Sequence, residues 1–253
     1  MALFEVNCYS TALGECVHFV VVMPQRITTG QIGIGSKAGD KYPVMYLLHG
    51  LSDDETIWLR RTSIERYATE KGIAVVMPST HRGWYMNSPK GNFYTYIGEE
   101  LPKLVAEFFP SISTERKDTF VAGLSMGGYG ALKFALSNPD RYAAAASLSG
   151  AFDINAEYRL KSLMSEHVVS CNQTGTENDV YYLTKALHES GKPKPDIFMW
   201  CGTEDYLIED NRRMRDLMNE CEYYLCYSES PGNHAWNYWD EQISKVIDWL
   251  PIK

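Results

Sequence analysis

The stretch VAGLSMGGYG (121–130) places one serine among four glycines, directly after an apolar run. Within it, Gly123-Leu124-Ser125-Met126-Gly127 matches the pattern GxSxG. A serine hydroxyl is a weak nucleophile unless a base removes its proton and a third group orients that base. Because strand-type residues precede the pattern and helix-type residues follow it, the sequence predicts a tight strand-to-helix turn that exposes Ser125 as a nucleophile. The alternative is an ordinary glycine-rich turn.

The acid and the base that such a serine needs are expected downstream, in that order. The segment MWCGTEDYL ends an apolar run with Glu204 and Asp205, of which Asp205 is favoured as the acid. The segment SPGNHAWNYWD then offers His234 as the base, whereas His167 and His188 both precede the acid. The alternative for His234 is a surface histidine in a turn.

Two backbone N–H groups are expected to stabilise the oxyanion that forms when the serine attacks. One belongs to the residue after the serine, Met126, and the other to the loop after the third strand, where LLHGLSDDE offers Leu51. His49, in the same loop, is interpreted as a structural histidine that hydrogen-bonds the loop.

Aromatic residues cluster near the predicted site, and their faces are suited to stacking on sugar rings or on an aryl group. We expect Trp84, Tyr85 and Trp236 to contact substrate, with Trp236 nearest to it because it follows His234 by two positions. The alternative for such aromatic residues is packing in the core or against a helix.

The elements that must position these residues follow from the apolar pattern. Helical patterns alternate with strand-like runs, several of which are continuously apolar, as in strands covered on both faces. This alternation predicts an α/β fold, with a mostly parallel central sheet of about eight strands and helices on both faces, the first two strands being antiparallel. The predicted strands are 2–10, 15–24, 42–50, 72–79, 119–125, 143–150, 196–205 and 223–230, and the predicted helices are 63–72, 98–110, 126–140, 209–221 and 239–250.

One connection is longer than a simple crossover requires. Residues 151–195 separate two predicted strands, and we interpret them as an insertion over the strand ends that covers a pocket. A longer crossover with an extra surface helix is the alternative. No linker or repeat divides the chain, so residues 1–253 are predicted to form a single domain.

Charge and cysteine content restrict the partners and the compartment. The net charge of −8 argues against a nucleic-acid partner and disfavours an anionic membrane surface. No segment has the length of a membrane span, and the amino terminus lacks the pattern of a secretory signal. The six cysteines form no CxxC pair and no zinc-type spacing, which favours reduced thiols in the cytoplasm and no bound metal.

Five segments together resemble one known group of enzymes: LLHGLSDDETIWLRRTSIERY, NFYTYIGEELP, GLSMGGYGALKFAL, CGTEDYL and GNHAWNYWD. They resemble the esterase D-like branch of the α/β-hydrolase superfamily, with the closest likeness to bacterial tributyrin esterases and to acetyl and feruloyl esterases. The likeness runs from about Leu13 to Trp249. The segment 79–96 departs from the glycine-rich, aromatic pattern of related sequences, so substrate preference does not carry over.

The resemblance implies a serine carboxylesterase without metal or organic cofactor, acting on short-chain acyl, acetyl or feruloyl esters, which can be carbohydrate-linked. It assigns the nucleophile, acid and base to Ser125, Asp205 and His234, and the oxyanion N–H groups to Leu51 and Met126. A thioesterase like S-formylglutathione hydrolase, or an acyltransferase with the same triad, is the alternative. A non-enzymatic binding protein is disfavoured by the complete residue set. The oligomeric state is left open, a homo-oligomer included.

Overall fold

The computed structural model describes residues 1–25 and 41–252. An eight-stranded sheet with strand order β1-β2-β4-β3-β7-β8-β9-β10 forms its centre, and β5 and β6 make a separate two-stranded hairpin. The strands are β1 (Ala2–Ser10), β2 (Glu15–Met23), β3 (Val44–Leu48), β4 (Ala74–Pro78), β5 (Asn87–Ser88), β6 (Gly91–Asn92), β7 (Thr119–Leu124), β8 (Ala144–Leu148), β9 (Asp196–Gly202) and β10 (Leu225–Ser230).

The pairing of the strands confirms the predicted α/β fold. The first strand, β1, pairs antiparallel with β2, and β2 pairs antiparallel with β4. All other neighbours in the main sheet pair in parallel. The carboxyl ends of the six parallel strands therefore meet at one edge of the sheet, where loops from distant parts of the chain come together.

Helices cover both faces of the sheet. The helices are α1 (Ile57–Arg61), α2 (Ile64–Lys71), α3 (Phe93–Thr95), α4 (Leu101–Phe108), α5 (Met126–Ser137), α6 (Glu157–Ser165), α7 (Val180–Ser190), α8 (Ile208–Glu220) and α9 (Trp236–Trp249). A π-helical turn, Tyr96–Glu100, joins α3 to α4, and a 3₁₀ turn, Arg116–Asp118, precedes β7. No helix in the described ranges is both long and apolar enough to cross a membrane.

Two apolar cores lie on opposite faces of the sheet. Along β2, Phe19 and Val21 enter one core while Val20 and Val22 enter the other, because successive side chains of a strand point to opposite faces. Helices α4 to α8 contribute buried residues to the first core, and α1, α2 and α9 contribute to the second. This burial on both faces explains why the strands read as continuous apolar runs.

The long connection 151–195 contains two helices, α6 and α7, which the sequence pattern did not single out. Helix α7 begins at a cap in which the Asp179 side chain accepts the N–H groups of Tyr181 and Tyr182, and it ends at Gly191 with φ of 68°. Helix α6 is joined to α8 by an ion pair, since Arg159 Nη1 lies 3.0 Å from Asp210 Oδ2. The single-domain assignment and the interpretation of this segment as a cover over a pocket stay predictions.

Candidate active site

Ser125 lies between the end of β7 and the start of α5, at the carboxyl edge of the sheet. Its backbone has φ of 53° and ψ of −117°, a conformation that side-chain-bearing residues rarely adopt. The Ser125 N–H donates to the carbonyl oxygen of Leu148 at 2.9 Å, which fixes the turn to the end of β8. The predicted strand-to-helix turn at Ser125 is therefore present, and the role of Ser125 as the nucleophile stays a prediction.

Glycines make this turn sterically possible. A Cβ atom on Gly123 would lie 2.3 Å from the carbonyl oxygen of Gly127, and one on Gly127 would lie 2.4 Å from that of Leu48. A Cβ atom on Gly128 would lie 2.5 Å from Ser147 Oγ. Because the first two contacts are with backbone atoms, no side-chain movement relieves them, and the turn requires glycine there.

The carboxylate of Asp205 is buried in the loop after β9, where the side chain has no exposed surface. Its Oδ1 accepts the N–H of Leu207 at 2.9 Å, and its Oδ2 lies 2.8 Å from Nδ1 of His234. The neighbouring Glu204 is exposed, and its carboxylate accepts the N–H of Gly232 instead. Of the two carboxylates that the sequence offered, only that of Asp205 contacts the histidine.

The loop after β9 and the loop after β10 lie against each other. The N–H of Thr203 donates to the carbonyl oxygen of Ser230, and the N–H of Glu204 to that of Gly232, both at 2.9 Å. A Cβ atom on Gly202 would lie 2.2 Å from the Gly232 carbonyl oxygen, so the approach requires glycine at 202. This contact brings the histidine loop onto the acid.

His234 joins the other two groups. Its Nδ1 faces Asp205 Oδ2 at 2.8 Å, and its Nε2 lies 3.0 Å from Ser125 Oγ. Because an ionised carboxylate only accepts hydrogen bonds, Nδ1 carries the proton and Nε2 is left to accept that of the serine. The rings of Tyr206 and Trp239 flank the imidazole, each with its centroid 4.7 Å from the imidazole centroid.

His49 hydrogen-bonds backbone groups of neighbouring loops, which agrees with the structural role interpreted from the sequence. Its Nδ1 hydrogen-bonds the carbonyl oxygen of Gly50 at 2.7 Å, and its Nε2 accepts the N–H of Thr80 at 3.0 Å. Burial lowers the pKa of His49 to about 4, which keeps the ring neutral near pH 7. A neutral ring suits both hydrogen bonds, because Nε2 acts as an acceptor.

The two residues predicted to supply oxyanion N–H groups belong to different elements. Met126 is the first residue of α5, whose first N–H groups have no acceptor within the helix. Leu51 follows β3 and is half-buried. The end of β3 is fixed because Trp58 Nε1 donates to the carbonyl oxygen of Leu48 at 3.1 Å. The role of the two N–H groups stays a prediction.

Two of the three residues predicted to contact substrate are buried. Tyr85 has no exposed surface, and its hydroxyl donates to the carbonyl oxygen of His49 at 2.8 Å. Trp84 is almost fully buried and packs edge-on against Tyr129. The structure thus gives Tyr85 a supporting position behind the loop that carries Leu51, with no surface free for substrate.

The third predicted contact residue, Trp236, is half-buried. It packs edge-on against Trp58 and Trp239, with ring centroids 5.1 and 5.3 Å away. The sequence analysis missed Tyr206, whose ring is 71% exposed beside His234. Its position directly after Asp205 is the signal that could have found it.

The described residues contain no group of three or more His, Cys, Asp or Glu side chains arranged to hold a metal ion. All six cysteines are free thiols. The expectation that the protein needs no cofactor stays a prediction.

Comparison with known proteins identifies the group to which this arrangement belongs. A family model described as "Putative esterase" matches residues 10–250. An acetyl esterase from Caldicellulosiruptor saccharolyticus is 26% identical over 265 residues, which cover 99% of this chain and 98% of that protein.

Two solved structures from Staphylococcus aureus share the fold over the whole chain. The fluorophosphonate-binding serine hydrolase FphF is 32% identical with a TM-score of 0.87, covering 100% of this chain and 99% of that chain. The S-formylglutathione hydrolase FrmB is 33% identical with a TM-score of 0.85, covering 98% of each chain.

Proposed function

The chain belongs to this esterase family and is a serine carboxylesterase of the α/β-hydrolase fold, and we propose that it hydrolyses small esters through an acyl-enzyme on Ser125. The observation that carries the proposal is the continuous contact from Asp205 through His234 to Ser125, at 2.8 and 3.0 Å. These distances are within the range in which a base can take a proton from a hydroxyl.

The first half of the reaction forms the acyl-enzyme. As Ser125 Oγ attacks the ester carbonyl carbon, its proton passes to His234 Nε2, and the buried Asp205 carboxylate stabilises the imidazolium that results. The oxyanion accepts hydrogen bonds from the N–H groups of Met126 and Leu51. His234 then returns the proton to the leaving alcohol oxygen as the carbon–oxygen bond breaks.

The second half releases the acid. Water takes the place of the alcohol beside His234, which accepts its proton while the oxygen attacks the acyl carbon. The same two N–H groups hold the second oxyanion. Ser125 recovers its proton from the imidazolium as the acid leaves, so the enzyme returns to its starting state.

We propose acetyl and other short-chain acyl esters as substrates, carbohydrate-linked esters included. The acetyl esterase relative, which aligns over 99% of this chain, supports the acyl group. The aromatic side chains of Tyr206 and Trp236 near the base support a ring-bearing alcohol, since aromatic faces stack on sugars and aryl groups.

A series of p-nitrophenyl esters from acetyl to octanoyl tests the substrate proposal, with Ser125→Ala as the control. We expect the highest kcat/KM at acetyl to butyryl and no turnover above background in the variant. Hydrolysis by the wild type that does not exceed that of Ser125→Ala on any ester contradicts the proposed function.

Thioester hydrolysis is the second candidate, because FrmB, at 33% identity, is an S-formylglutathione hydrolase. The same triad performs both reactions, so the distinction lies in the leaving group. Measuring kcat/KM for S-formylglutathione and for phenyl acetate on one preparation separates them. A preference for the thioester by about 100-fold or more would replace the ester proposal.

We also propose a cytoplasmic location, which six free thiols support. Cell fractionation tests it: enzyme recovered outside the cytoplasmic fraction contradicts the location. Homo-oligomerisation stays a prediction that sizing in solution tests.

A further inference from the structure

Tyr206 is the most exposed large hydrophobic side chain among the described residues, although it adjoins the buried Asp205. Its ring lies beside the imidazole of His234, at a centroid distance of 4.7 Å and an interplanar angle of 49°. On another side of the imidazole, Trp239 is fixed in the core, where its Nε1 donates to Ser149 Oγ at 3.1 Å. Tyr206 is therefore the flanking ring that remains open to a ligand.

The chemistry fixes where the alcohol portion of an ester lies. His234 Nε2 must reach the leaving oxygen to protonate it, so that oxygen lies within hydrogen-bond distance of the imidazole. The carbonyl oxygen of the ester, which becomes the oxyanion, faces the N–H groups of Met126 and Leu51 instead. A group bonded to the leaving oxygen therefore extends beside the imidazole, where the ring of Tyr206 is exposed.

A second exposed ring lies near the start of α8, the helix that follows the acid loop. Tyr158 lies on α6 and is 62% exposed, and its hydroxyl accepts from Nη2 of Arg159 at 2.6 Å. Because the buried ion pair of Arg159 with Asp210 holds α6 against α8, this ring is also held near the acid loop.

We propose that Tyr206 is a specificity-determining residue that binds the alcohol portion of the ester and favours alcohols carrying an aryl or sugar ring. A ring in contact with the tyrosine face gains stacking interactions that a short alkyl chain does not make. This inference rests on the proposed function, because it uses His234 as the acid that protonates the alcohol.

The shared acyl-enzyme makes the test selective. Phenyl acetate and ethyl acetate yield the same acetyl-enzyme, so they differ only in acylation, which kcat/KM reports. We expect Tyr206→Ala to lower kcat/KM for phenyl acetate by about three- to tenfold and to leave that for ethyl acetate within about twofold. The rate of deacylation in single-turnover experiments should not change.

Two variants serve as controls. Tyr206→Phe keeps the ring and should retain the preference for phenyl acetate. Tyr224→Ala removes a ring of similar exposure, 68%, directly before the amino end of β10, at the opposite edge of the sheet. It should leave both substrates unchanged. The melting temperature of each variant checks that the fold is intact.

Equal losses on both esters together with slower deacylation would overturn the proposal, because Tyr206 would then act only by positioning His234. Unchanged rates on both esters would overturn it as well. Failure of the proposed function is distinguishable: there the wild type itself hydrolyses neither ester faster than Ser125→Ala.

Discussion

Nε2 of His234 lies 3.0 Å from Oγ of Ser125, although 109 positions separate the two residues in the chain. One comes from the turn after β7 and the other from the loop after β10, and parallel pairing brings both to the same edge of the sheet. The predictions that follow test what holds this contact and what depends on it.

Asp205→Asn should lower kcat by about 10³- to 10⁴-fold, because an amide can donate to Nδ1 and so favour the wrong tautomer of His234. The matched control is Glu204→Gln, which changes the adjacent carboxylate that does not contact the imidazole. It should stay within a few-fold of wild type. Steady-state kinetics on phenyl acetate measures the kcat of both variants. A larger loss in Glu204→Gln than in Asp205→Asn would show that Glu204, and not Asp205, is the acid.

Gly123→Ala should destabilise the protein by more than about 4 kcal/mol, because the added Cβ meets a backbone carbonyl at 2.3 Å. Gly191→Ala is the matched control: nothing lies within 4 Å of its Cβ, and only its φ of 68° disfavours alanine. That change should cost about 1 kcal/mol. Urea unfolding compares the two, and equal costs would contradict the close approach at the turn.

His49 should make the folding stability depend on pH in the acidic range. Burial lowers its pKa from 6.5 to about 4, so the unfolded chain binds more protons between these values and stability falls as pH falls through them. The free energy of unfolding of the wild type relative to His49→Gln should drop by up to about 3 kcal/mol from neutral pH to about pH 4. A difference that does not change with pH would show that the ring titrates normally.

Lys133 should make the free energy of unfolding depend on pH in the neutral to alkaline range. This residue is on α5, and only 1% of its surface is exposed. Its amine donates to the Tyr85 carbonyl oxygen at 3.1 Å and to the Asn178 side chain. Burial lowers its pKa from 10.5 to about 7. Between these values the unfolded chain binds more protons, so stability rises with pH.

Relative to Lys133→Met, the wild type should gain up to about 5 kcal/mol in free energy of unfolding between about pH 7 and pH 10. Chemical unfolding of both proteins across that pH range measures this difference. Other ionisable groups are present in both proteins, so their contributions cancel in the difference. A constant difference would mean that the amine is protonated throughout in the folded state.

The fold was largely predictable because burial on both faces makes each central strand a continuous apolar run, and all eight predicted strands are present. The residues that meet at Ser125 were predictable for a different reason: chain order limited the acid to neighbouring carboxylates and the base to His234. Sequence alone could not decide between Asp205 and Glu204, because the difference depends on the direction of two side chains in one loop. The structure shows that Asp205 contacts His234 and that Glu204 accepts the N–H of Gly232.

What the sequence could not predict depends on tertiary packing. The exposure of an aromatic ring is decided by its neighbours in space, so the composition around 84–85 did not reveal that Tyr85 is fully buried. For the same reason it did not reveal that Tyr206 is exposed beside the base. Within the long connection the sequence left one extra surface helix open as an alternative, and the bounds of α6 and α7 were not predicted because each helix buries only two or three side chains.

The most direct test is to trap the acyl-enzyme. Acid quenching during the turnover of p-nitrophenyl acetate, followed by mass spectrometry of the proteolytic peptides, should find one acetyl group on the peptide that carries Ser125, and on that serine itself. Ser125→Ala should carry none. Acetyl found on another residue, or turnover without any covalent intermediate, would contradict the proposed mechanism.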